Sequence, residues 1–257
     1  MPKTALITGA SSGIGRELAT IHAERGGDLI IVARRVEKLN ALRDALQSKH
    51  RVRVHVHAMD LTEPDAPTRL YEAVKNQNLT VDYLVNNAGF GGVGKFVERA
   101  WSDDRSMIQL NVIALAHLTH LFLPDFIGRG AGRVLNVSST AGYMPGPLQA
   151  TYFATKAFVN SFSNALAEEL RGTGVTVSAL QPGATKTEFA DVAGLENSDL
   201  MKQAVSARRV AEDGYNGMLD GKLDIVSGLP GGKFTLGVAG LLPKKLVLKQ
   251  VRRLQEV

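Results

Sequence analysis

Residues Thr8 to Gly15 read TGASSGIG and lie between an apolar run that fits a strand and a longer run that fits a helix. Two readings compete. Gly9-Ala10-Ser11-Ser12-Gly13 fits the G-x-S-x-G turn of a hydrolase nucleophile, whereas Gly9, Gly13 and Gly15 together fit a turn that holds a phosphate. A nucleophile at Ser11 needs an acid and then a histidine later in the chain. The six histidines stand at 22, 50, 55, 57, 117 and 120, the last two inside a helical pattern, and no earlier strand supplies an oxyanion donor. The phosphate reading has its supports in place. Glycines let the backbone approach a pyrophosphate, Ser11 and Ser12 add hydroxyls, and a helix opening near Gly13 and continuing through Ile14 and Gly15 offers free N–H groups to an anion.

Outward from this turn, short β-rich runs alternate with helical patterns. Strands are expected at Thr4 to Thr8, Asp28 to Ala33, Arg51 to Ala58, Val81 to Asn86, Arg133 to Ser138, Gly174 to Gln181 and Leu223 to Val226. Helices are expected to begin near Gly13, Val36, Pro64, Ser102 and Thr151. Runs such as LIIVA and VLNV fit strands buried on both faces, and right-handed crossovers then give a doubly wound α/β fold with a seven-stranded parallel sheet. Ligands of such sheets bind outside the carboxyl ends of the strands. With no linker or internal repeat, residues 1–257 are expected to form one domain.

A hydrophobic content of 44% with 21% charged residues fits a globular chain rather than a disordered or fibrous one. The absence of cysteine removes disulfide frameworks, thiolate nucleophiles and Cys-based zinc sites. The start MPKTALIT is too short for a secretory signal, and no run reaches the about 20 apolar residues of a membrane span, so a cytoplasmic location is expected. The formal net charge of +5 raises the question of an anionic partner. Part of it crowds into Lys244, Lys245, Lys249, Arg252 and Arg253, with no continuous basic stripe and interleaved aromatics, so nucleic acid is not expected. His55 and His57 alternate with valines on the third strand, which fits the polar face of an edge strand better than a metal ligand pair.

The strand ends carry the chemistry. After the second strand stand Arg34 and Arg35, where an acid would bond the ribose 2′-hydroxyl of NAD and an arginine would take the 2′-phosphate of NADP, so NADP(H) is the expected cofactor. After the third strand, Asp60, beside Leu61, is placed to accept from an adenine amino group or to cap the next helix. Tyr152 and Lys156 stand four apart in TYFATKAF and share one helix face. An ammonium there stabilises a phenolate and makes the tyrosine a usable acid or base.

With TGASSGIG, NNAG at 86–89, Asn111, Ser139, Tyr152-x-x-x-Lys156 and Pro182-Gly183 in this order, the chain resembles the short-chain dehydrogenase/reductase family from Thr4 to Phe189. The resemblance implies a Rossmann-type fold and an enzyme that moves hydride between NADP(H) and a carbonyl or alcohol. It implies that Tyr152 exchanges the proton, Ser139 holds the substrate oxygen, Lys156 lowers the tyrosine pKa and binds the nicotinamide ribose, and Asn111 anchors a relay water. The family spacing to Tyr152 selects Ser139 over Ser138. By the same resemblance Asn87, Ala88 and Gly89 run along the adenosine ribose, Pro182 and Gly183 shape the nicotinamide pocket, and Thr185 and Thr187 lie near the carboxamide. A cofactor-binding sensor with little turnover is the alternative of a different class, and a serine hydrolase using Ser11 is the remote one.

Phe90, Val93, Tyr143 and Met144 suggest a hydrophobic ketone, 3-oxoacyl or steroid-like substrate. Residues 189–216 are expected to form a lid over it. Residues 228–257 extend past the usual family end, which resembles a less characterised bacterial branch and puts the usual tetramer in question, leaving a homodimer or homotetramer expected. In a helix from Pro243, Val247, Val251 and Leu254 share one face and Lys245, Lys249 and Arg252 another. That face packs on its own domain or a partner, or lies on an anionic membrane; the first is preferred, and deletion of 243–257 is expected to alter oligomer state or solubility.

Overall fold

The computed structural model describes residues 2–195, 201–202, 204–229 and 243–255. Seven parallel strands form one sheet: β1 (Thr4–Thr8), β2 (Asp28–Ala33), β3 (Val54–Ala58), β4 (Tyr83–Asn86), β5 (Gly132–Val137), β6 (Val175–Pro182) and β9 (Asp224–Ser227). Their order is β3-β2-β1-β4-β5-β6-β9, so the chain reverses its direction of winding between β1 and β4. A cleft opens at such a switch point. Two further strands, β7 (Thr185–Lys186) and β8 (Val205–Ser206), make a small parallel ladder beyond the end of β6.

Alternation along each strand divides the core between the two faces. Ala5 and Ile7 of β1 and Leu29 and Ile31 of β2 pack with α1 (Gly13–Glu24), α2 (Val36–His50) and, later in the chain, α8 (Ala207–Leu219). Leu6, Ile30 and Val32 pack on the other face with α3 (Ala66–Asn76), α5 (Leu115–Arg129) and the end of α6 (Ala150–Glu169). β3 begins three residues later than expected because Arg51 closes α2 in the left-handed conformation at φ 56°, which no strand residue adopts. As expected for an edge strand, β3 pairs among the described residues only with β2, with His55 and His57 on it.

α4 (Trp101–Ile108), a π-helical turn (Gln109–Ala114) and α5 form one continuous helix. Contrary to the expectation from sequence, this 29-residue helix holds an 18-residue stretch of mean hydropathy 1.4, which by length and composition is enough to cross a membrane. Here Leu118, Phe122 and Phe126 place its apolar face in the second core instead. The region after β6 divides in two. A short helix α7 (Glu188–Ala193) lies by the cleft, whereas α8 packs through Val210, Ala211, Tyr215 and Met218 into the core against α1. The last helix, α9 (Lys244–Gln255), follows a stretch, 230–242, that lies outside the described residues.

Candidate active site

The turn after β1 is built by glycine. Gly9 has φ 68°, and a Cβ there would come within 2.7 Å of Asn87 Nδ2; a Cβ on Gly15 would come within 2.4 Å of the same atom and 2.5 Å of Gly9 O. Asn87 fastens the turn by donating from Nδ2 to the carbonyls of Thr8 at 2.9 Å and Gly9 at 3.3 Å. Thr8 Oγ1 in turn accepts from the backbone N–H groups of Asn87 and Ala88, each at 3.0 Å. Asn87 is therefore a brace across the switch point as well as a wall of the cleft. Ser12, at the N-cap of α1, makes no capping bond, so the first amides of the helix keep their donors for an anion.

Arg35 reaches back over this turn, donating from Nη2 to Ser11 Oγ at 3.0 Å and Ser12 Oγ at 3.1 Å. Arg34 extends into solvent with Nη1 3.8 Å from Asp60 Oδ2. Asp60 Oδ1 accepts from the N–H and hydroxyl of Thr62, at 2.9 and 2.8 Å, while Asp65 occupies the N-cap of α3. Asp60 thus orders the turn after β3 and does not cap the helix. Leu61 is buried in the second core with its edge on the cleft.

At the other end of the cleft the two serines after β5 diverge. Ser138 is buried and donates to Lys156 O at 3.0 Å, whereas Ser139 accepts from Ala141 N–H at 3.1 Å and lies against the Tyr152 hydroxyl. Lys156 donates from Nζ to Val137 O at 2.9 Å. Burial pushes the Tyr152 phenol up to about 12, outweighing the opposite pull of the Ser139 hydroxyl, and pushes the Lys156 ammonium down to about 8. Desolvation is thus the leading influence on the tyrosine. Asn111 sits in the π-helical turn, which turns its amide inward. Its Nδ2 donates to Phe90 O at 2.9 Å and Thr155 Oγ1 at 3.2 Å, and its Oδ1 accepts from Phe90 N–H at 3.2 Å.

One cavity of about 570 Å³ joins these groups. Gly9, Ser11, Ser12, Gly13, Ile14, Arg34, Arg35, Asp60, Leu61, Asn87, Ala88 and Gly89 line it towards the glycine turn. Ser139, Tyr152, Lys156, Pro182, Gly183, Thr185 and Thr187 line it towards the tyrosine. Gly15 and Asn111 stand behind the wall and act on it through Asn87 and Phe90. Phe90 and Met144 face the cavity; Val93 and Tyr143 do not, and the Tyr143 hydroxyl donates to Gln181 Oε1 at 2.9 Å.

The sequence reading missed Glu188, Gln149 and Phe153, held Phe189 only as the first residue of the lid, and missed that α9 closes the apolar end with Val251, Leu254 and Gln255. Gln149 Nε2 donates to Gln255 Oε1, and Val247 and Val251 join Phe90, Met144, Tyr152, Phe153 and Phe189 in one cluster. The apolar face of the tail thus packs on its own domain. No histidine lines the cavity among the described residues, and His22 is buried against Tyr215 OH at 2.7 Å, so Ser11 has no base beside it. Uncapped helix amides, close-packed glycines and two arginines at one end, with a phenol, a hydroxyl and an ammonium at the other, fit a dinucleotide lying along the cleft.

Comparison with known proteins agrees with this geometry. The short chain dehydrogenase family matches residues 3–197. The chain is 40% identical over 191 residues to a sulfoacetaldehyde reductase of Chromohalobacter salexigens, covering 74% of this chain and 75% of that protein. A short-chain dehydrogenase from Sphingobium yanoikuyae in complex with NADPH superposes with a TM-score of 0.84 at 31% identity, covering 100% of this chain and 98% of the other. A 7beta-hydroxysteroid dehydrogenase superposes with a TM-score of 0.86 at 26% identity, covering 97% and 96% of the two chains.

Proposed function

The chain belongs to the short-chain dehydrogenase family of oxidoreductases, and from that premise we propose that it is an NADP(H)-dependent reductase of neutral, hydrophobic carbonyl compounds, working through Ser139, Tyr152, Lys156 and Asn111. The observation that carries the reading is the placement of Ser139, Tyr152 and Lys156 on one cavity with the glycine turn and the two arginines. The bound nicotinamide supplies the hydride. Tyr152, which keeps its proton at neutral pH, donates it to the carbonyl oxygen, and the Ser139 hydroxyl orients that oxygen and stabilises its developing charge. Lys156 holds the ribose hydroxyls. Asn111 keeps the Phe90 loop in place and has a second acceptor site on Oδ1 for a relay water.

Arg34 and Arg35 support a preference for NADP(H), since β2 ends without the acid that a free 2′-hydroxyl calls for. The substrate end is walled by Phe90, Met144, Phe153, Phe189, Val251 and Leu254, and Lys156 is its one cation among the described residues. Besides Lys156, a sulfonate like that of sulfoacetaldehyde would meet only neutral donors there, such as the Gln149 and Gln255 amides, which favours a neutral ketone. Exposed Trp101, Ile113 and Phe158 support a homodimer or homotetramer, to be checked by sedimentation. Fluorescence titration with NADPH and NADH, followed by a screen of bulky ketones, tests the whole. Tight NADPH binding with turnover is expected; equal or tighter NADH binding overturns the cofactor preference, and binding of neither overturns the reading.

A further inference from the structure

The lid helix is tied to the cations at the NADP end of the cleft. Glu188, the first residue of α7, is 2.8 Å from Arg35 Nη2 and 2.6 Å from Lys38 Nζ, and also accepts from the Ser12 hydroxyl. The Arg35 nitrogen that it meets is the one that bonds Ser11 and Ser12. On either side, Thr187 packs within 3.0 Å of where a Cβ on Gly13 would stand, and the Phe189 ring lies 5.4 Å from that of Tyr152. The segment Thr187 to Phe189, held by this carboxylate, therefore spans from the glycine turn to the catalytic tyrosine. Glu188 is 43% exposed, so no burial requirement pairs it, yet a guanidinium, an ammonium and a hydroxyl converge on it. Those are the donor types that phosphate sites use.

We propose that Glu188 is a resident occupant of the 2′-phosphate subsite, that Lys38 is a further cation of that subsite beside Arg34 and Arg35, and that a cofactor phosphate displaces the carboxylate and frees α7. The inference rests on the NADP(H) reading above. A phosphate carries more negative charge than a carboxylate, so it outcompetes Glu188 for Arg35 and Lys38. A cofactor without that phosphate leaves the latch closed, which couples cofactor identity to the position of Phe189 over Tyr152. Only a differential interaction with the two lid states moves the lid, and the phosphate supplies it.

The test titrates the full-length protein, Glu188→Gln and Lys38→Met with 2′,5′-ADP and with 5′-ADP by calorimetry. Glu188→Gln is expected to tighten 2′,5′-ADP by about fivefold or more, the low end of coupling between linked sites, and to leave 5′-ADP nearly unchanged. Lys38→Met is expected to weaken 2′,5′-ADP alone. Hydrogen exchange over 187–193 should quicken in the wild type with 2′,5′-ADP and not with 5′-ADP. A wild-type preference for 2′,5′-ADP that Glu188→Gln leaves unchanged or lowers overturns the latch while keeping the cofactor reading. Equal binding of both ligands by wild type and both variants overturns the two together. Unmoved exchange overturns the release of α7.

Discussion

The ammonium of Lys156 stands 5.8 Å from the centre of the Tyr152 ring and spends a hydrogen bond on Val137 O at 2.9 Å. Their four-residue spacing puts both on one face of α6, and the same burial acts on them in opposite senses. The phenol rises to about 12 and the ammonium falls to about 8, so at neutral pH the first keeps its proton and the second its charge. That is the state required to protonate a carbonyl oxygen.

Lys156 should therefore cost stability while serving the reaction. Its pKa is 10.5 unfolded and about 8 folded, so below pH 8 both states are protonated and the full penalty is present. Between pH 8 and 10.5 the folded state sheds its proton first and the penalty is relieved. At about 1.4 kcal/mol per unit the shift corresponds to about 3 kcal/mol, part of which the lost bond to Val137 O offsets. Lys156→Met is expected to melt a few degrees above wild type at pH 7, to lose that advantage by pH 10.5, and to be inactive. A variant no more stable than wild type at pH 7, with a gap that does not move with pH, would refute the account.

The divergence of the two serines gives a sharper pair. Ser139→Ala and Tyr152→Phe should each lower kcat for ketone reduction by about 10²-fold or more with NADPH affinity kept. Ser138→Ala removes the buried bond to Lys156 O and should cost about 1 kcal/mol of stability with a smaller effect on kcat. Steady-state kinetics beside denaturant melts separates them; equal kcat losses for both serines would mean that Ser138 also reaches the substrate.

The central strands and the residues at their ends were legible because local chemistry specified them: alternating apolar runs, glycines where the backbone turns, and a phenol and ammonium one helical turn apart. What was not legible depends on contacts far along the chain. No local signal places Gln255 beside Gln149, or Glu188 on Arg35, because those pairs meet through tertiary packing. The π-helical turn at Gln109–Ala114 was hidden for a related reason, since QLNVIA reads as ordinary helix until Asn111 bonds to Phe90 and Thr155. Lys156 lines the same cavity as Tyr152, and the burial that acts on both is not visible in a helix pattern, which shows proximity and leaves out desolvation.

Gly15 offers a test of the turn apart from the chemistry. A methyl there would meet Asn87 Nδ2 at 2.4 Å and Gly9 O at 2.5 Å, and neither can withdraw without releasing the brace between β1 and β4. Gly15→Ala should fold with a cost of about 1–3 kcal/mol, typical of overpacking, and lose most NADPH affinity. Circular dichroism with a nucleotide titration reads both, and wild-type NADPH affinity would show that the turn does not need this close approach.

The tail makes the last prediction. Val251 is 6% exposed because α9 lays it against the cluster that also holds Phe153 and Phe189, and Leu254 and Gln255 finish the wall of the cavity. The apolar face that an interfacial helix would offer to lipid is thus already covered, with Leu246 left outside at 60% exposure. Removing 243–257 uncovers the apolar end and also strips the partner from Gln149 Nε2. The truncated protein should lose about 2 kcal/mol or more of stability, the scale of burying one or two aliphatic side chains. Its KM for bulky ketones should rise while NADPH affinity at the distant glycine turn is kept. If the KM for bulky ketones is unchanged, α9 is a stabilising brace alone, and if it falls, the tail restricts entry to the pocket and does not complete its wall.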